Sequence, residues 1–119
     1  MNRAARERHG RRAEQAAAWW LRCKGYRILA MRYKTPVGEI DIVARRGNTV
    51  VFIEVKGRKR RHDAANAIHA RNQARVVRAA QWWLQRHPLF EQSQVRFDAC
   101  LVAWYRFPHH IPHAFTATM

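Results

Sequence analysis

Residues 38–56 read GEIDIVARRGNTVVFIEVK. β-Branched and apolar residues dominate both GEIDIVARR and TVVFIEVK, and Gly47-Asn48 between them is a two-residue hairpin signal. The stretch therefore predicts two antiparallel strands. If Arg46 pairs with Thr49 across the turn, the ladder sets Asp41 opposite Glu54 and Glu39 opposite Lys56. Side chains two residues apart point the same way, so these four share one face. Ile40, Ile42, Val51, Ile53 and Val55 then share the other face, the one expected to be buried against helices. Facing carboxylates repel and weaken a hairpin unless a cation lies between them, and Mg²⁺ or Mn²⁺ suits such an oxygen pair. The competing reading is an edge hairpin with a charged, solvating face. Such a face would more naturally oppose Glu to Lys throughout than Asp to Glu. A one-residue slip or a bulge at the turn would separate the two carboxylates.

The rest of the chain sharpens that contrast. Its 119 residues hold 23 Lys and Arg against 8 Asp and Glu, a net charge of +15, so three acids on one predicted face are not filler. The length suits one domain, 1–119, with a core that needs no disulfides. Arg supplies 19 of the 23 cations, which favours forked contact to phosphate oxygens, and nucleic acid is the polyanion such a domain meets most often. A general basic bias with no particular partner would give the same composition. Cys23 and Cys100 lack metal-ligand spacing and read as reduced, buried thiols of a cytoplasmic protein. No run is long and apolar enough for a membrane span or a secretory signal.

Residues 1–10 read as a basic arm, and a helix is expected from about Arg11 to Lys24, stopped by Gly25. Glu14 falls on its apolar stripe with Ala17, Ala18 and Leu21, where a carboxylate needs a partner. An arginine at the stripe's rim is the simpler partner, and reach into the carboxylate patch is the other. Residues 26–33 predict a first strand. After Lys56 the run Gly57-Arg58-Lys59-Arg60-Arg61-His62 would hold a phosphate backbone over the patch, or be an ordinary solvated loop. A second helical stretch from about Ala64 to Arg86 carries Gln73, Val76, Val77, Ala80 and Leu84 on one stripe, with Gln73 at its end. Trp19-Trp20 and Trp82-Trp83 are each expected to turn one ring inward and one outward. The outer rings suit packing over the helices or, less commonly, stacking on bases. A fourth strand spans residues 95–105, and 106–119 read as an irregular or edge-strand tail whose His109, His110 and His113 are taken as surface residues.

With GEID, then IEVK, then RFD in order, and helices before and between, the chain resembles the bacterial YraN-type family of predicted endonucleases. The resemblance runs from about Glu14 to Phe115. That family is in turn similar to the PD-(D/E)XK nucleases, archaeal Holliday junction resolvases above all. It implies an α/β, restriction-endonuclease-like fold, a central mixed β-sheet flanked by helices. It implies Asp41 and Glu54 as ligands of Mg²⁺ or Mn²⁺ with the Val55 carbonyl, Lys56 orienting or deprotonating the attacking water, and Glu14 completing the catalytic set. Glu39 and Gln73 would support these residues from behind. Where the family commonly has Lys at the start of the second helix, this chain has Asn72-Gln73, with Arg71 and Arg75 close by. Together with Arg58, Lys59, Arg60 and Arg61, those arginines are the expected nucleic-acid contacts. The expected activity is hydrolysis of DNA, including branched or structured DNA, and cutting two strands of a junction calls for a symmetric homodimer. The rival expectation is a module that binds nucleic acid on the same fold and cuts nothing.

Overall fold

The computed structural model describes residues 3–57, 70–103 and 106–116, without the side chains of 3–9 and 70–72. Helix α1 spans Arg3–Cys23 and leads into strands β1 (Arg27–Thr35), β2 (Gly38–Arg46) and β3 (Thr49–Gly57). Helix α2 (Ala70–Gln85), a 3-10 turn (Pro88–Phe90), β4 (Gln94–Val102) and β5 (His109–Phe115) follow. The five strands form one sheet in chain order, antiparallel throughout except for the parallel pair β3–β4. A parallel neighbour needs a crossover, and the segment carrying α2 makes it. The fold is α/β, a mixed sheet with, among the described residues, one helix on each face.

The local signals act where chain chemistry demands them. α1 ends in a Schellman motif, with Tyr26 N–H donating to Leu21 O and Gly25 N–H to Arg22 O, both at 3.0 Å. Gly25 takes φ +90°, the left-handed conformation this cap requires. Gly47 at φ +59° opens the β2–β3 turn, and the pairing is Arg46 with Thr49 through to Ile42 with Ile53, the register expected from the turn. α1 begins at Arg3, so residues 3–10, expected as an arm, continue the helix. The tail forms an edge strand, β5, one of the two forms expected for it.

The sheet is buried on both faces, not on one. Ala17, Ala18 and Leu21 of α1 pack on Ile42, Val51, Ile53 and Val55. Val76, Val77, Ala80 and Trp83 of α2 pack on Ile40, Val43, Val50 and Phe52. Ile40 and Ile42 therefore lie on opposite faces, which corrects the expected shared face. The cause is a switch of side in β2 at Asp41. There Met31 pairs with Ile42 and Tyr33 with Ile40, so Asp41 lies opposite Arg32, whose φ of +51° breaks the alternation of β1.

A second polar feature anchors the far edge. Asp98, fully buried on β4, receives a forked pair of 2.8 Å hydrogen bonds from Arg96 Nε and Nη2, and one of 3.0 Å from the His113 N–H. His110 Nε2 sits 2.6 Å from Asp98 Oδ2, and Lys24 Nζ contacts its Nδ1. Lys24 has only protons to give and an ionised Asp98 only lone pairs, so the ring is the Nε2–H tautomer. Burial alone would raise the Asp98 carboxyl, but the bonds from His110, Arg96 and the His113 backbone hold it below its ordinary range. His110 is buried, contrary to the surface position expected for it. Cys100 is buried with its thiol pushed up to about 12 by burial, whereas Cys23 is exposed, against expectation.

Candidate active site

The switch of side at Asp41 builds the site. Beyond the Ile42–Ile53 pair, the Asp41 carboxylate takes the place of a backbone acceptor, with Val55 N–H donating to its Oδ2 at 2.7 Å. β2 and β3 thus fork around a side chain. At the fork a cavity of about 280 Å³ is lined by Glu14, Arg32, Glu39, Asp41, Glu54, Val55, Lys56, Arg75 and Val76. Four of the eight acidic residues of a strongly basic chain meet here. α1 brings Glu14, α2 brings Arg75 and Val76, and the three strands bring the rest.

Each charged group is held differently. Lys56 Nζ lies 3.4 Å from Glu54 Oε1, and Arg32 Nε lies 3.0 Å from Glu14 Oε1. The Glu14 carboxyl is pushed up to about 7, first by burial and then by the Asp41 charge, with Arg32 pulling the other way. Asp41 is pushed up to about 6, again chiefly by burial, opposed by the Val55 N–H and reinforced by Glu54. Carboxylates this crowded favour proton or metal binding.

Glu54 lines the cavity, and its Oε2 is buried with no hydrogen-bond partner; Arg32 Nε, though 3.0 Å from Glu14 Oε1, also lacks hydrogen-bond geometry. An orphaned carboxylate oxygen is costly unless something absent from a protein-only structure meets it. No three His, Cys, Asp or Glu side chains among the described residues form a closed metal cage. Two carboxylates and a main-chain carbonyl leave most positions to water, which fits Mg²⁺, an ion that usually keeps several waters, or the similar Mn²⁺.

Asp41, Glu54, Val55, Lys56, Glu14, Glu39 and Arg75 are thus gathered in one cavity. Gln73 is half-buried on α2 and does not line it. Arg58, Lys59, Arg60 and Arg61 lie outside the described residues, as does the side chain of Arg71. Sequence reasoning missed Arg32. Its only signal was being one of two arginines inside YRILAMRY, and its approach to Glu14 depends on the positive φ that no sequence pattern announced.

Comparison with known proteins gives one consistent answer. The sequence model of Uncharacterised protein family UPF0102 matches residues 13–102, which include every lining residue of the cavity. A UPF0102 protein of Bradyrhizobium diazoefficiens is 52% identical over 116 residues, covering 98% of this chain and 87% of its own length. One from Rhodopseudomonas palustris strain BisB18 is 50% identical over 116 residues, covering 98% and 86%. One from Nitrobacter winogradskyi is 51% identical over 109 residues, covering 92% of each chain. With more than half its length matched by the family model and its relatives covered almost end to end, this chain belongs to the UPF0102 family.

Proposed function

We propose that this protein is a metal-dependent nuclease of the PD-(D/E)XK type, of the kind attributed to YraN-like proteins, hydrolysing phosphodiester bonds in DNA. The observation that carries the reading is the fork itself. Asp41, Glu54 and Lys56 converge with Glu14 in one cavity, and one Glu54 oxygen there has no protein partner. Mg²⁺ or Mn²⁺, held by Asp41, Glu54 and the Val55 carbonyl, would supply Lewis acidity and a water of lowered pKa.

The chain's own residues would do the rest. Lys56, about a quarter exposed at its side chain and tethered to Glu54, points donors at a water or a non-bridging phosphate oxygen. Arg75 lies exposed on the cavity wall and offers a forked contact to the scissile phosphate. It stands one helical turn beyond Asn72, so the start of this helix offers a cation to the cavity. Glu14, its carboxyl raised to about 7 by burial and the Asp41 charge and with Arg32 Nε 3.0 Å from it, would complete the carboxylate set. The basic excess of the chain draws the polyanion in.

The test is cleavage of labelled duplex, single-stranded and four-way-junction DNA with Mg²⁺, Mn²⁺ or EDTA. The parent is compared with Asp41→Ala and Lys56→Ala. Metal-dependent cutting that falls at least about 100-fold in both variants is expected, since each removes a group that meets the developing charge or its metal. Tight binding without cutting on every substrate would make the protein a non-catalytic nucleic-acid-binding module.

A further inference from the structure

Trp19 and Phe107 are large rings left 50% and 67% exposed. They stack at a centroid distance of 6.4 Å and an interplanar angle of 15°. Half-buried Trp20 leans on both, 6.0 Å from Trp19 and 5.2 Å from Phe107. The tandem tryptophans of α1 therefore do not divide into one inner and one outer ring, as Trp83 and Trp82 do. Helix–sheet packing on this side is made by Ala17, Ala18 and Leu21, and the three rings form an open aromatic ledge. Exposed apolar surface gathered in one place marks a contact site.

The rim of the ledge selects the partner. Arg22 lies one turn along α1 from Trp19, Arg12 two turns back, and Arg106 precedes Phe107, all three exposed. Residues 15–38 and 99–116 contain no Asp or Glu, and Glu14 is turned into the cavity. A second copy of this chain would bring another strongly positive surface against the first and be repelled. Aromatic faces ringed by guanidinium groups complement a polyanion that carries flat rings of its own, and unpaired nucleotides are that ligand. Duplex bases are already stacked on one another, so their faces are not on offer.

The ledge also lies at the right end of the sheet. Parallel pairing sets Glu54 beside Ala99 and Gly57 beside Val102. Phe107 lies just past that end of β4 and before His109, the partner of Leu101. Cavity and ledge are thus at the same end of the sheet, so one strand of a few nucleotides can pass over both.

We propose that the Trp19–Trp20–Phe107 ledge stacks the unpaired bases of a DNA strand that continues to the carboxylate cavity. DNA with a single-stranded segment joined to duplex is then the substrate class. The location of the cut rests on the nuclease reading, whereas the stacking does not.

The experiment measures fluorescence anisotropy of three labelled probes in EDTA: oligothymidylate, an abasic strand with the same phosphates, and duplex. The parent is compared with Trp19→Ala, Phe107→Ala and Trp19→Phe, with far-UV circular dichroism confirming the fold of each exposed-site variant. Each alanine variant should bind oligothymidylate about 5- to 100-fold more weakly. Its affinity for abasic strand and duplex should change by less than about twofold, with Trp19→Phe near the parent. Equal losses on the abasic strand, no loss on oligothymidylate, or rings that serve only self-association would overturn the proposal. Cleavage of a flapped duplex in Mg²⁺ by parent and Asp41→Ala, run in parallel, separates the two readings. Base-dependent affinity without cutting retires the nuclease and keeps the ledge, and cutting without base-dependent affinity does the reverse.

Discussion

Replacing Asp41 by Asn should make the metal-free protein more stable at pH 8. The Asp41 carboxyl is pushed from 3.8 to about 6, mainly by burial, with Glu54 adding to the effect. A carboxyl that holds its proton more tightly when folded destabilises the fold once it ionises. The cost is absent below about pH 4, grows as pH rises through 6, and is complete above that value. A displacement of this size corresponds to about 3 kcal/mol. Asn keeps an oxygen for the Val55 N–H but adds an amide that needs a partner of its own, so the net gain at pH 8 is about 1–3 kcal/mol. Below about pH 4 the gain vanishes and only the cost of the amide remains, so the variant should be equal to the parent or up to about 2 kcal/mol less stable. Urea unfolding in EDTA at both pH values reads this as a shift of midpoint at unchanged slope. Mg²⁺ at pH 8 should then raise the midpoint of the parent more than that of the variant, because the ion stabilises only the state that binds it. An Asn variant no more stable than the parent at pH 8 in EDTA would refute the account of a charge-crowded fork. Glu14, raised to about 7, extends the same fall in stability to neutral pH, and because each carboxylate is part of the other's environment the two effects are not summed.

Two further substitutions test the scaffold that holds the site. Asp98→Asn leaves the Arg96 guanidinium without its charged partner and should cost about 3–5 kcal/mol, seen as an earlier urea midpoint. Because the folded Asp98 carboxyl lies below its ordinary range, this contribution is present above about pH 4 and is lost as pH falls through the folded value. A loss below about 1 kcal/mol, the size of an exposed ion pair, would show that the network does not anchor β5. Gly38→Ala would place a methyl group 2.5 Å from the Arg75 backbone oxygen, so α2 must retreat from β2. Thermal unfolding should report about 1–3 kcal/mol of destabilisation, and any cleavage activity should fall further because Arg75 moves with the helix. Unchanged stability would mean that the two elements are not in close contact.

Most of the fold was legible because its signals are local. Alternating β-branched runs, the Gly47-Asn48 turn and the glycine stop after α1 specify elements through steric and hydrogen-bonding preferences of neighbouring residues. The register of the β2–β3 hairpin near its turn followed from the turn alone, but the ladder stops at Ile42–Ile53, so the expected Asp41–Glu54 and Glu39–Lys56 pairs do not form and the carboxylates meet at the fork instead. The apolar stripe beneath Glu14 likewise announced a buried carboxylate in need of a partner.

What the tertiary structure alone decided are the features that depend on residues far apart in the chain. The fork exists because Arg32 on β1 adopts a positive φ opposite Asp41, which sends Ile40 and Ile42 to different faces. His110 is buried because β5 folds onto β4 and brings its ring to Asp98. Trp20 leans outward because Phe107, nearly ninety positions away, supplies a ring for it. Local preference can set which way a strand runs and where it turns. Which side chains end up buried, paired or left in water is set by what the opposing element places against them, and that partner is known only once the chain has folded.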